Sequence, residues 1–81
     1  MSSTDILILV DPTRSKKMRH IRLDRDLRQT DLAYLASQYA KRLGKRITIR
    51  AADVSWMERG YRISQKKEAI ILGVLGIDAD G

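Results

Sequence analysis

The pattern of apolar and polar positions predicts a mainly α-helical protein. Apolar residues recur three and four positions apart in the stretches 29–43 and 65–75, a spacing that places them on one face of a helix. A first helix is predicted over residues 12–25, with Met18, Ile21 and Arg22 on one face. A shorter helix is predicted to begin at residue 49 or 50 and to end at residue 59. Four helices in this order are expected to pack around one core.

Residues at the predicted helix ends set the boundaries. Asp11 and Pro12 start the first helix, because Asp is a favourable N-cap and Pro at the first position lacks an N–H that would be unpaired anyway. Gly44 ends the second helix and Gly60 the third, since Gly readily adopts the left-handed conformation that closes a helix. Ser64 caps the last helix, which is expected to run from residue 65 to about residue 75.

The helical spacing also predicts which residues form the core. The second helix is expected to bury one stripe and its flanking alanines: Leu32, Ala33, Ala36, Tyr39, Ala40 and Leu43. The last helix is expected to bury Ala69, Ile71, Leu72 and Leu75. On the third helix, Val54 and Met57 lie three positions apart and are predicted to point inward.

Two short segments outside the helices have β character. Ile6–Val10 is an apolar run without alternation, and its length predicts a short N-terminal β-strand, or an arm over residues 1–10. Ile47–Ile49 alternates and predicts a second short strand, which could pair with the first. Thr48 is, by side-chain chemistry, the better N-cap for the third helix.

Composition limits the classes of function. The chain of 81 residues suits one domain, with a helical core over residues 12–77. It contains no Cys and one His, so neither a disulfide nor a thiolate or multi-histidine metal site is expected, and no cofactor or small-molecule ligand is predicted. No apolar run is long enough to cross a membrane, and we expect a cytoplasmic protein.

The charge balance indicates a polyanionic partner. Sixteen Lys and Arg against ten Asp and Glu give a net charge of +6 and an isoelectric point of about 10.1. An excess of this size on a small domain favours nucleic acid, although a generally basic, solvated surface would give the same number. No set of residues typical of an enzyme active site is present, and we expect no enzymatic activity.

Two motifs resemble the Xre family, the Cro and λ-repressor type of DNA-binding domain. They are Gln29-Thr30-Asp31-Leu32-Ala33 and Val54-Ser55-Trp56-Met57-Glu58-Arg59-Gly60. The resemblance covers about residues 18–77 and implies a λ-repressor-like helix-turn-helix fold of four to five helices, in which the third helix enters the DNA major groove. The chain departs from the family by roughly ten extra residues between Ala36 and Arg50, by Asp26 where a Gly is usual, and by a fifth helix that is absent or a single turn.

The resemblance implies roles for residues on the third helix. The predicted base-contacting residues are Arg50, Ala51, Ala52, Ser55 and Trp56. Arg50 suits a bidentate contact to guanine, whereas a phosphate contact or a solvated charge is the alternative. Trp56 is predicted either to point outward, against a sugar and a thymine methyl, or to fold over the inserted segment.

Other positions are expected to bind phosphates or to position the third helix. In the family, the residue matching Gln29 donates a hydrogen bond to a phosphate at the start of the second helix. The basic residues predicted to contact phosphates are Arg28, Lys45, Arg46, Arg59, Arg62, Lys66 and Lys67. The resemblance also pairs Arg22 with Glu58, in a contact that would hold the third helix in place.

These features predict a sequence-specific double-stranded DNA-binding transcriptional regulator, a small Cro-like repressor of a phage or mobile element. We expect a homodimer that binds a DNA operator, with Ile6–Val10 as the candidate interface. The same run could instead pack on its own domain, against Leu72 and Leu75 or beside Ile47–Ile49. The alternative function is an antitoxin or anti-repressor that acts mainly through protein–protein binding.

Overall fold

A computed structural model describes residues 12–77, which form four α-helices. They are α1 (Pro12–Asp24), α2 (Gln29–Arg42), α3 (Ala51–Glu58) and α4 (Gln65–Leu75). The predicted mainly α-helical class is confirmed, and each helix boundary lies within two residues of its prediction. The predicted strand at Ile6–Val10 lies outside the described residues. None of the four helices has the length and apolar character needed to span a membrane.

The core is aliphatic and lies between α2 and α4. Helices α2 and α4 pack against each other and both contact α3, while α1 packs against α3 and α4. The largest fully buried side chains are Met18, Leu32, Val54, Met57, Ile70, Ile71, Leu72 and Leu75. Burial of one such side chain contributes about 1.5–3 kcal/mol, so these contacts fix the four helices as one unit.

Two core predictions are wrong. Leu43 is 51% exposed, because it follows the last turn of α2 as the C-cap residue and its backbone leaves the helical path. Ala69 is exposed, and Ile70 is buried in its place, at 2% exposure. The reason is that α4 contacts all three other helices, which makes its buried face wider than one helical stripe and shifts that face toward Ile70.

Each helix ends in the same way, with a residue of positive φ and a backbone hydrogen bond that closes a six-residue turn. The four residues and their φ angles are Asp26 (56°), Gly44 (75°), Gly60 (91°) and Gly76 (74°). The closing hydrogen bonds run from the N–H of Leu27, Lys45, Tyr61 and Ile77 to the carbonyls of Arg22, Ala40, Trp56 and Leu72. This is the Schellman motif, and Asp26 accommodates it because its short polar side chain tolerates the left-handed region.

The segment 45–50 forms no strand, which corrects the prediction for Ile47–Ile49. The Ser37 hydroxyl on α2 accepts a hydrogen bond from the Ile49 N–H at 2.9 Å and donates one to the Ile49 carbonyl at 3.2 Å. A side chain therefore takes both backbone groups that a neighbouring strand would use. Ile49 is buried and Ile47 is half-buried, so the segment is fixed along α2.

Candidate nucleic-acid interface

Helix α3 buries one side and exposes the other. Val54 and Met57 are fully buried, as predicted. The residues expected to contact bases lie on the other side or at the start of the helix: Arg50, Ala52 and Trp56 are exposed, and Ala51 and Ser55 are half-buried. The outer face therefore consists mainly of small side chains, with one large ring near its C-terminal end.

The start of α3 agrees with the later of the two predicted starts, at residue 50, and shows that Thr48 is not the N-cap. Thr48 lies two residues before the cap, and Arg50 occupies the cap position in an extended conformation. The Asp53 carboxylate accepts a hydrogen bond from the Arg50 N–H at 2.9 Å. Because this carboxylate supplies the acceptor that the first turn needs, the helix begins without a hydroxyl N-cap.

The structure brings Arg22 and Glu58 together. Arg22 donates from Nε and Nη2 to the two Glu58 oxygens, at 2.6 and 3.0 Å, and from Nη1 to the Leu27 carbonyl at 2.8 Å. The two side chains are only 9% and 5% exposed. The hydrogen bond to Glu58 is the main cause that raises the pKa of Arg22 above its ordinary value.

Gln29 extends this pair to the start of α2. Its side-chain amide donates to Glu58 Oε1 at 3.2 Å. One carboxylate on α3 thus joins α1, through Arg22, to the first residue of α2. Because a two-point guanidinium–carboxylate contact is directional as well as strong, it restricts the angle at which α3 is held against the other two helices.

A shallow depression is lined by this network and by three of the residues predicted to contact DNA. Gln29, Ser55 and Arg59 line it, together with Arg19. Gln29 and Arg59 were predicted to contact phosphates and Ser55 to contact a base, so the structure places both kinds of residue at one concave surface. Arg19 was not predicted, although it lies three residues before Arg22 on α1, and that helical spacing could have placed it near the same region.

A second group of predicted phosphate-contacting residues surrounds the start of α3. Arg46, Lys66 and Lys67 line one groove of about 530 Å³ together with Arg50. Asp53 also lines this groove, and its carboxylate forms an ion pair with the Lys67 ammonium group at 3.3 Å. The charge of Lys67 is therefore partly neutralised inside the protein, which the sequence pattern did not indicate.

Of the remaining predicted residues, Arg28 and Arg62 do not line either surface, whereas Lys45 lies beside the second. Arg28 is exposed and pairs with Asp31 at 3.2 Å. The hydrogen bond from the Arg28 backbone N–H is the largest cause that lowers the pKa of Asp31 below its ordinary value, and the hydrogen bond from the Arg28 side chain is the second. Arg62 is exposed in the connection between α3 and α4. Lys45 lines a smaller depression with Arg46 and Lys66.

Trp56 points outward and forms an aromatic pair that was not predicted. Its ring is 47% exposed and lies edge-to-face against Tyr61, with 5.0 Å between the ring centroids and 75° between the planes. Tyr61 follows the Schellman turn at Gly60, so the turn carries the second ring back toward α3. The two rings form an exposed aromatic edge beside the connection between α3 and α4, which carries Arg62.

Within residues 12–77, no group of three acidic or His side chains has an arrangement that could hold a metal ion. Comparisons of the chain with protein-family models, with curated proteins and with solved structures find no match. The geometry of the two surfaces around α3 is therefore the basis for a functional assignment.

Proposed function

We propose that this protein is a sequence-specific double-stranded DNA-binding transcriptional regulator with a λ-repressor-like helix-turn-helix fold. In this proposal, α2 and α3 form the motif and α3 enters the major groove. The observation that carries the proposal is the network in which Glu58 on α3 binds Arg22 on α1 and Gln29 at the start of α2. Such a network holds one short helix at a fixed angle with its outer face exposed.

The outer face of α3 has the size and chemistry for close approach to base edges. Ala51 and Ala52 have side chains small enough for the helix to sit deep in the groove, where a methyl group can contact a thymine methyl. The Ser55 hydroxyl can donate to or accept from several base edges. Gln29 and Arg59 line the same depression as Ser55, which supports phosphate contacts beside a base contact.

Regulation would follow from occupancy of an operator by a small Cro-like repressor of a phage or mobile element, a cytoplasmic role. One domain at one half-site buries little surface, so specific binding usually requires two half-sites about one helical turn apart. We therefore propose a homodimer. Ile6–Val10 stays the candidate interface, and deletion of residues 1–10 should give a folded monomer with weaker operator binding, measured by light scattering and a binding titration. A folded, dimeric deletion variant would exclude this interface.

The first test is the salt dependence of binding to duplex DNA. Contacts between Lys or Arg and several phosphates release counterions, so affinity should fall by about 10²- to 10⁴-fold between roughly 50 and 200 mM salt. Fluorescence anisotropy of a labelled duplex measures this. An affinity that does not change with salt would remove DNA binding from the proposal.

The second test separates base contacts from phosphate contacts, with an operator selected from random sequences. Ser55→Ala should reduce discrimination between the operator and random DNA by about 1–3 kcal/mol, because a base contact is lost. Gln29→Ala should weaken both by a similar factor. A change of sequence preference in Gln29→Ala, with none in Ser55→Ala, would show that α3 is not the helix that contacts bases.

The exposed aromatic edge favours a second candidate function, an antitoxin or anti-repressor that binds another protein. Among the exposed apolar residues of the described part of the chain, Trp56 has the bulkiest side chain and is 47% exposed, and large rings near the centre of a surface often contribute most to protein–protein affinity. Selection of duplexes distinguishes the two functions. Equal binding to selected and random duplexes would favour the protein-binding function, whereas a large difference would favour the regulator.

A further inference from the structure

A second basic surface extends away from α3 along the segment 45–50. Three depressions lie along this segment and share lining residues, and Arg46 and Ile47 line all three. At one end the surface reaches Lys41 on α2. At the other end it reaches the starts of α3 and α4, at Arg50 and Lys66. We call this continuous surface the trough.

The lining of the trough is strongly cationic. Among residues 12–77, six basic side chains contribute to it: Lys41, Lys45, Arg46, Arg50, Lys66 and Lys67. Within the same part of the chain, Asp53 is the one carboxylate that lines it, and Ile47 the one apolar side chain. An open, elongated surface of this kind lacks the apolar enclosure of a small-molecule pocket. Its charge suits a chain of repeated anionic groups.

The segment that carries Arg46 is held in a fixed position. The Ser37 hydroxyl binds both backbone groups of Ile49, and the Lys45 N–H closes the end of α2 on the Ala40 carbonyl at 2.9 Å. Arg46 and Ile47 lie between these two anchor points. The backbone is thereby ordered before any ligand binds, which reduces the entropy cost of binding.

The negative charge of Asp53 offsets part of the positive charge of the trough. Its carboxylate pairs with Lys67 at 3.3 Å, and its side chain is 16% exposed. The pair removes one cation from the surface that an anionic chain would contact. The carboxylate also repels that chain, so it limits the affinity for anions at the start of α3.

We propose that the trough binds the sugar–phosphate backbone of DNA beyond the bases that α3 contacts, with Arg46, Arg50 and Lys66 on phosphates and Asp53 limiting the affinity. This inference rests on the proposed function, and it assigns Arg50 to the backbone rather than to guanine. The inserted residues, which separate α2 from α3, thus supply a contact that widens the footprint on DNA. This contact carries no sequence information of its own.

The test compares charge-removing variants on a random-sequence duplex over a range of salt concentrations. Each phosphate contact contributes about 0.9 to the slope of log affinity against log salt. Arg46→Gln and Lys66→Gln should therefore each reduce the slope by about 0.9, and the double variant by about twice that amount. Lys17→Gln on the exposed side of α1 is the matched control and should leave the slope unchanged.

The outcomes separate this inference from the proposed function. If the wild-type protein does not bind duplex DNA, the proposed function fails. If the wild type binds and the two trough variants keep its slope, the trough inference fails and the proposed function stands. Thermal unfolding followed by circular dichroism checks that each variant is folded, and because Arg46 and Lys66 are exposed, their substitution should change stability little.

Asp53→Asn tests the opposing carboxylate directly. Asn retains an oxygen that can accept the Arg50 N–H, but it releases Lys67 and removes the repulsion. The affinity for random duplex should rise several-fold and the slope should increase by about 0.9. Asp24→Asn, an equal change in net charge at an exposed position of α1, should have no such effect. An equal rise in both variants would mean that net charge, rather than the trough, controls binding.

Discussion

Helices α2 and α3 begin with the same local motif but are held by different partners. Each has Arg at the N-cap and Asp three residues later: Arg28 with Asp31, and Arg50 with Asp53. In both, the carboxylate accepts a hydrogen bond from the backbone N–H of that Arg, at 2.8 and 2.9 Å. The sequence spacing alone therefore creates the same cap twice.

The two carboxylates differ in their ion-pair partners. Asp31 pairs with the side chain of its own cap residue, Arg28, at 3.2 Å and is 36% exposed. Asp53 pairs with Lys67 of α4 at 3.3 Å and is 16% exposed. The carboxylate at the start of α2 thus pairs within its own first turn, whereas the carboxylate at the start of α3 pairs with another helix. A local motif therefore sets the helix start, while the neighbouring element decides what else the carboxylate binds.

The largest expected effect comes from breaking the contact that joins the start of α2 to the end of α3. Glu58→Ala should destabilise the protein by about 3–5 kcal/mol, because Arg22 is left buried without its carboxylate. Urea unfolding followed by circular dichroism measures this. Asp24→Ala, which removes an exposed carboxylate, is the control and should change stability little. The double variant Glu58→Ala/Arg22→Met should lose less stability than the two single variants lose together. A loss equal to that sum would contradict a direct contact between the two side chains.

A smaller effect is expected from the contact that leads into α3. Ser37→Ala removes the acceptor of the Ile49 N–H, and Ile49 is buried. An unpaired backbone N–H at such a position costs about 1–3 kcal/mol, which urea unfolding would detect. Ser55→Ala, on the outer face of α3, is the matched control. Equal stability of the two variants would show that the Ser37 contact does not fix the segment before α3.

The two caps can be compared directly with a matched pair of substitutions. Asp53→Ala should destabilise the protein by about 1 kcal/mol, because it removes the acceptor of a backbone N–H and the partner of Lys67. Asp31→Ala removes the same kind of acceptor but only a local, exposed ion pair, so its effect should be smaller. Unfolding curves recorded under identical conditions would decide this. Equal losses would mean that Lys67 adds nothing to the start of α3.

The smallest effect concerns acid. The Arg28 N–H, and then the Arg28 side chain, lower the pKa of Asp31 below its ordinary value of 3.8. The ionised group therefore stabilises the folded state above the unfolded-state pKa, and this contribution is lost as the pH falls through the lower, folded-state pKa. The stability difference between the wild type and Asp31→Asn should shrink below pH 3.8. A difference that stays constant as the pH falls would contradict the Asp31 contact.

Interactions over short sequence distances made much of the fold predictable. Ser64 caps α4, and its hydroxyl accepts the Lys67 N–H three residues later. Gly44 and Gly60 end α2 and α3 because the left-handed conformation is required there. The inward positions of Val54 and Met57 follow from helical spacing. In each case the determining contacts involve residues within one or two turns, which the sequence displays directly.

Predictions that depended on packing were less reliable. Ile47–Ile49 has the alternation of a strand, but Ser37 on another element takes its backbone hydrogen bonds. Leu43 has the spacing of the buried stripe of α2, yet the helix ends before it. The aromatic pair of Trp56 with Tyr61 depends on the direction of the turn at Gly60. Neither the hydrophobicity nor the spacing of residues indicates which other element will pack beside them.

Local sequence specifies the four helices, their ends to within two residues, and the inward side of α3. Hydrogen bonds between near neighbours and the apolar period specify these features, whatever the rest of the chain does. The pairing of Arg22 with Glu58 was inferred from resemblance, because the two residues lie 36 positions apart and no local period connects them. Only the tertiary structure decided that Lys67 would bind Asp53, and that Arg46, Arg50 and Lys66 would share one trough. Such long-range electrostatic contacts depend on how the helices pack, since the field at each charge is set by neighbours that the chain brings together only when it folds.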